Sequence, residues 1–245
     1  IIKDHVPAVS AAVGDARVTI DRVSKERNAP ITWIDHTLWK RKSYQGRYQE
    51  FMIQGSFKDY SVKTSMLGGH QGENIALAIA AVEQLQMGGV YLTDSDIQDG
   101  IEAATHPGRM EIISEEPLIL LDGAHNPAGM SMLAKTLRED FSDHRLVLIL
   151  GMLKDKDLKT MVSTIVPLSD VIIVTKSGNP RAADPQQLKK IIEGFDVNRT
   201  MLVVDSIPHA IDHAKRIAKQ KDLICVTGSL FTVGEARRYV LLGKS

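Results

Sequence analysis

Residues 118–130, LILLDGAHNPAGM, carry the change of pattern from which the rest of the chain is read. Leu118, Ile119, Leu120 and Leu121 form a short unbroken apolar run, the pattern of a strand buried on both faces. Asp122-Gly123-Ala124-His125-Asn126 then breaks the run with polar residues and a turn-permitting glycine. Asn126 suits a helix N-cap, and Pro127 suits the first helical position, where no N–H is needed. The order strand, polar loop, helix puts Asp122 and His125 at the carboxyl end of a buried strand. In an open α/β sheet that is where ligands bind, and the N–H groups of a helix start favour anions there.

Downstream the same alternation repeats. Apolar runs at 146–150, 171–174, 201–204 and 223–226 predict strands, and amphipathic patterns at 128–140, 156–165, 185–193, 207–219 and 233–242 predict helices. Asp184-Pro185-Gln186-Gln187 is a well-formed helix start, with a cap, a proline at the first position and a glutamine at the third. Continuous Val/Ile/Leu strands alternating with such helices predict a mostly parallel sheet covered on both faces, a Rossmann-like α/β domain. The runs 109–114 and 118–121, separated by Glu115-Glu116-Pro117, predict a hairpin at the sheet edge, where proline is tolerated.

Upstream the pattern differs. The residues predict a short strand over 6–13, a turn at Gly14-Asp15, a surface helix over 16–27 and a strand over 31–34. Lys40-Arg41-Lys42 reads as a solvated loop. Segments 48–53 and 60–64 read as a hairpin around Gly55-Ser56-Phe57-Lys58. Gly68-Gly69-His70-Gln71-Gly72-Glu73-Asn74 leads into IALAIAAVEQL, an alanine-rich helix whose small residues permit close packing. Gln71 and Asn74 lie three apart, so their amides point the same way; on spacing alone ordinary capping is the simpler reading. Thr93 or Asp94 caps a second helix through 104, and His106-Pro107-Gly108 breaks it. The predicted domains are therefore 1–104 and 105–245.

The 245 residues suffice for one large domain or two ordinary ones, and 43% apolar with 24% charged is the composition of a globular chain. Lys+Arg and Asp+Glu are both 30, so no charge excess points to nucleic acid or to an anionic membrane. No apolar stretch approaches the roughly 18 residues of a membrane span, and no signal peptide is visible. Cys225, the single cysteine, fits a reducing, cytoplasmic compartment. The opening IIKDHVPAVSAAVG reads as the middle of an element, as expected of a fragment of a longer protein.

Four predicted strand ends carry polar loops: DGAHNP, GMLKDKD, TKSGNPRAADP and TGSLFTVGEAR. Together they predict one rim above the sheet, offering Asp122, His125, Lys154, Asp155, Lys156, Ser177 and Ser229 to a ligand. No G-x-G-x-x-G follows the first strand and no G-x-x-x-x-G-K-[ST] occurs, so neither a dinucleotide site nor a phosphate cradle is written here. Singly these residues have plainer readings. Asp122 suits a turn, His125 an exposed loop, Arg109 a surface charge and Ser229 the cap of the last helix. His209 and His213 are four apart on a helix, but without a third ligand they do not make a zinc site.

GGHQGENIALAIAAVEQL, HPGRMEII, LILLDGAHNPAG, GMLKDKD and VTGSLFTVGEARR together resemble the folylpolyglutamate synthase/dihydrofolate synthase family of the Mur ligase superfamily. The likeness runs in order over essentially the whole chain, and Asp122 follows the arginine of PGR by thirteen residues. It implies that residues 1–104 are the last part of a P-loop ATPase domain and 105–245 a complete C-terminal Rossmann-like ligase domain. It also implies that the P-loop, a carbamylated lysine and the Mg²⁺ ligands lie upstream, leaving no metal ligand in this chain and an isolated fragment without activity.

The chemistry implied by the resemblance is ATP- and Mg²⁺-dependent addition of L-glutamate to folate or dihydropteroate through an acyl phosphate. On matched positions Gln71 and Asn74 read the adenine edge. Arg109 holds phosphate oxygens, Asp122 meets the ribose hydroxyls or an adjacent polar group, and His125 reaches the phosphates or the acyl phosphate. Ser229 contacts glutamate. A monomer is expected, with no nucleic-acid or membrane partner. Two alternatives stay open: a stand-alone nucleotide-binding or regulatory Rossmann module, and a ligase acting on a cell-wall peptide precursor.

Overall fold

The computed structural model describes residues 1–195 and 199–243, and the chain divides into two units, Ile1–Thr105 and His106–Ser245. In the first unit, β1 (Ala8–Ser10) and β2 (Ile31–Trp33) pair in parallel, with α1 (Gly14–Glu26) between them in sequence. The strand expected over 6–13 is thus only three residues long. Pro7 has no N–H to give, and the Ser10 hydroxyl turns the chain by accepting the N–H of Ala12 at 3.1 Å.

Strands β3 (Trp39–Gln45), β4 (Tyr48–Gln54) and β5 (Asp59–Thr64) form an antiparallel sheet. Lys40-Arg41-Lys42 therefore belongs to a strand, not to the solvated loop its charges predict. Lys40 and Lys42 point to solvent while Trp39 and Arg41 are partly buried, because long basic stems lie along a sheet with their heads in water. On the inner face Phe51, Ile53, Tyr60 and Val62 pack with Ile75, Ala76, Ile79 and Ala80 of α2 (Gln71–Met87). Period two in the strands meets a helical stripe in α2. The carboxylate of Glu83 is buried under the β4–β5 turn, where it accepts the N–H groups of Ser56 (2.8 Å) and Phe57 (3.2 Å) and the Tyr60 hydroxyl (3.1 Å). Helix α3 (Asp94–Ala103) starts with a Thr93/Asp96 capping box.

The second unit opens with β6 (Glu111–Glu115), antiparallel to β7 (Leu118–Asp122) as the hairpin reading predicts. There follow α4 (Pro127–Asp140), β8 (Arg145–Leu150), α5 (Leu158–Ile165), β9 (Val171–Val174) and α6 (Pro185–Glu193). After them come β10 (Thr200–Val203), α7 (Ile207–Ile217), β11 (Asp222–Thr227) and α8 (Leu230–Leu242). The sheet order is β10-β9-β8-β11-β7-β6, parallel throughout except for the β6 edge. This is the mostly parallel α/β fold the alternation predicts.

Ile119, Leu121, Val147, Ile149, Ile224 and Val226 face α7 and α8 in one continuous core. Each fully buried side chain of this kind contributes about 1.5–3 kcal/mol. Two helices begin away from their expected positions for the same reason, a capping side chain. Asp157 accepts the N–H of Thr160, so α5 starts at Leu158, and Ser229 accepts the N–H of Thr232, so α8 starts at Leu230. Strand β11 lies between β7 and β8, which are consecutive in sequence. The chain therefore reverses direction across the sheet here, and in such folds the crevice at the carboxyl ends is the binding place.

Candidate active site

The loop after β7 is held by its own aspartate. Asp122 is 7% exposed; its Oδ1 accepts the N–H of Ala124 at 2.9 Å and its Oδ2 the N–H of Met110 at 3.0 Å. Burial pushes this carboxyl above the ordinary carboxylate range, against the pull of those two N–H groups and of the nearby Arg109 and His125. The N–H of Gly123 donates to the Gly108 carbonyl at 2.7 Å, and the N–H of Gly108 donates to the Glu111 carboxylate at 2.7 Å. The His106–Met110 turn is thus stapled on both sides of Arg109, with Met110 held at φ 45°. Among the described residues the guanidinium of Arg109 has no hydrogen-bond or ion-pair partner, although it sits in the field of Asp122. A rigid mounting carries an uncommitted fork of donors.

His125 follows on the same loop. Its Nδ1 lies 2.9 Å from the Gly123 carbonyl. A carbonyl can only accept, so Nδ1 carries the proton and a neutral ring keeps Nε2 as an acceptor. Asn126 caps α4 by accepting the N–H of Gly129 at 2.8 Å, with Pro127 at the first helical position.

The neighbouring loop after β11 is in register, since Thr227 pairs with Asp122. Gly228 takes φ +107° there, and a Cβ on it would meet the Gly151 carbonyl oxygen at 2.6 Å, so only glycine fits. Ser229 is 1% exposed and fully engaged as a cap. It accepts from the Thr232 N–H (3.1 Å) and donates to Thr232 Oγ1 (2.9 Å), which donates to the Gly151 carbonyl (2.8 Å). Three other buried hydroxyls, Thr175, Ser177 and Thr227, have no hydrogen-bond partner among the described residues. They follow or end β9 and β11, which flank β8. Buried polar groups are ordinarily satisfied, so these three stand out at the carboxyl ends of β9 and β11. Of them the loop pattern singles out Ser177. Thr175 and Thr227 were invisible because a threonine ending a strand is unremarkable.

Beside them Asp155 pairs with Arg181 at 2.6 Å and lies 3.8 Å from Lys156, while the ammonium of Lys154 is exposed. No cluster of three or more His, Cys, Asp or Glu able to hold a metal exists among the described residues. His213 faces Arg216.

Gln71 and Asn74 lie together in the first unit, at the start of α2, and neither caps it. Asn74 Nδ2 donates to Gln71 Oε1 at 2.9 Å, and Gln71 Nε2 lies 3.2 Å from His70 Nε2. Gln71 is buried and Asn74 exposed, so Gln71 orients Asn74 and leaves the outer amide oxygen for a ligand. Gln49 fixes the approach to this helix by donating to the carbonyls of Met66 and Gly68. Next to Asn74 an apolar cavity of about 280 Å³ opens between α2 and α3, walled by Ile75, Ile79, Ile97 and Ile101.

Residues 108–230 match the family described as Mur ligase, glutamate ligase domain. A dihydrofolate synthase/folylpolyglutamate synthase of Mycobacterium tuberculosis is 34% identical over 77% of this chain and 42% of its own length. The Bacillus subtilis protein of the same name is 28% identical over 97% of this chain and 55% of its own length. The chain spans about half the length of these curated relatives. A solved M. tuberculosis folylpolyglutamate synthase complexed with ADP superposes with a TM-score of 0.85 at 31% identity, over 98% of this chain and 55% of that one. By the match over 108–230, which falls within the second unit, and the likeness in fold along nearly its whole length, the chain belongs to the Mur ligase family.

Proposed function

We propose that the protein is an ATP-dependent ligase that adds L-glutamate to a folate or to dihydropteroate, and that this chain supplies the wall of the site built from its carboxyl-end loops. The observation that carries the reading is Arg109, an uncommitted guanidinium on a turn stapled by Glu111, Gly123 and Asp122. Such a preorganised charge suits phosphate oxygens and stabilises the charge that develops in transfer. The relatives' names and the ADP complex support this choice of substrates.

On this reading the acceptor's carboxylate attacks the γ-phosphorus of ATP, ADP leaves and an acyl phosphate forms. The amine of glutamate then attacks the acyl carbon, an amide forms, and inorganic phosphate leaves. Arg109 holds phosphate oxygens, and Nε2 of His125 faces the transferred group. Asp122 acts by holding both loops, its oxygens already being engaged. Asn74, oriented by Gln71, reads the adenine edge beside the apolar cavity. Glutamate lies over the loops that carry Lys154 and Ser177, within the frame fixed by Ser229. Mg²⁺ belongs to this chemistry, and among the described residues no group of three or more His, Cys, Asp or Glu stands ready to hold it.

The test is turnover by the full-length protein with ATP, L-glutamate and, separately, dihydropteroate, tetrahydrofolate and a cell-wall peptide precursor. Products one glutamyl unit heavier from either pteridine substrate support the reading. Turnover of the peptide precursor alone, or nucleotide binding without turnover, overturns it.

A further inference from the structure

Helix α8 reaches two of the loops of this rim through their backbones, and the His106–Met110 turn through the side chain of Glu111. Thr232 donates to the carbonyl of Gly151, the first residue after β8, at 2.8 Å. Glu235 accepts the N–H of Gly178, in the loop after β9, at 2.7 Å. Arg237 Nε lies 3.0 and 3.1 Å from the two oxygens of Glu111, whose Oε2 accepts the N–H of Gly108. Val233 and Ala236, on the same helix, are buried in the sheet's core, so the helix is not free to follow the loops.

We propose that Glu235 and Arg237 are positioning residues for two different substrates. Glu235 sets the loop that carries Ser177 for the amino acid, and Arg237, through Glu111, sets the turn that carries Arg109 for the nucleotide phosphates. One rigid helix thereby fixes the spacing between the two subsites. The side chains themselves touch no reacting atom. This rests on the ligase reading for the identity of the two ligands, but the geometry it claims is measurable without it.

The experiment has two arms on Glu235→Ala, Glu235→Gln, Arg237→Ala and Arg237→Lys. In the first, amide hydrogen exchange is followed in the chain itself. Gly178 exchanges faster in Glu235→Ala only and Gly108 faster in Arg237→Ala only, and Glu235→Gln, which keeps an acceptor, restores Gly178. Equal acceleration of both amides by both alanine variants means a loosened helix and overturns the proposal, as does no change in either.

In the second arm KM values are measured in the full-length protein. Glu235→Ala raises KM for the amino acid about tenfold and Arg237→Ala raises KM for ATP about tenfold, the effect of one lost hydrogen bond or ion-pair contact. Each leaves the other KM within about twofold, and the conservative variants recover most of the loss. Parallel shifts of both KM values overturn the proposal. An inactive wild type with the exchange pattern intact overturns the ligase reading and leaves the positioning claim standing.

Discussion

Asp122→Ala separates a residue that holds the site from one that touches the ligand. The substitution removes both oxygens, so the N–H groups of Met110 and Ala124 lose their partners in a buried place. Each buried donor left unsatisfied costs about 1–3 kcal/mol, giving about 2–6 kcal/mol for the pair. Against this, the raised proton affinity of Asp122 shows that its buried charge is itself unfavourable, so the net loss falls near about 2–3 kcal/mol. In a chain of this size that lowers the melting temperature by about 4–12 °C.

The pH dependence has a definite sign. Asp122's affinity for a proton is higher folded than unfolded, so its contribution is fully present below the unfolded value of 3.8 and is lost as pH rises through the folded value. The gap between wild type and Asp122→Ala therefore narrows with rising pH across that window. Urea denaturation of the isolated chain at several pH values, with exchange rates at Met110 and Ala124, reads all of this. A loss below about 0.5 kcal/mol with both amides unchanged would refute the holding role and return Asp122 to a direct ligand contact.

Arg109→Ala has the opposite profile: folding stability stays within about 0.5 kcal/mol, since among the described residues the guanidinium has no hydrogen-bond or ion-pair partner, while turnover by the full-length protein falls more than about a hundredfold. Gly72→Ala destabilises the first unit by about 1–3 kcal/mol in denaturant melts, because the added methyl meets the Trp39 ring; an unchanged midpoint would contradict that packing. Tyr60, pushed up to about 12 by burial and by the Glu83 carboxylate, titrates late in ultraviolet absorbance. The stability it lends is present below pH 10 and is lost as pH rises from there through about 12, and titration at 10 would refute the buried setting beside Glu83.

The second unit was legible because its strands are continuous apolar runs with caps and prolines at the helix starts, which local chemistry writes directly. β3 was not, because Lys40, Arg41 and Lys42 hide a period-two strand behind their charges, and its pairing with β4 is a long-range fact. Arg109, Asp122 and His125 could be picked out as a group from the order of the motifs. That Asp122 staples Met110 could not, because a hydrogen bond across twelve residues depends on how the hairpin closes. Ser229 read most simply as a cap, with the ligand contact implied only by the resemblance, and the structure shows the cap. The hydroxyls of Thr175 and Thr227 and the reach of Glu235 and Arg237 appear only once three strands and a helix are placed side by side.

The central claim, that this rim serves an enzyme that activates a carboxylate with ATP, is tested most directly by isotope transfer. Tetrahydrofolate or dihydropteroate labelled with ¹⁸O in its carboxylate is incubated with the full-length protein, ATP and L-glutamate, and the released phosphate is weighed. An acyl phosphate route transfers one labelled oxygen to inorganic phosphate for each amide formed. Amide formation with unlabelled phosphate would contradict the account.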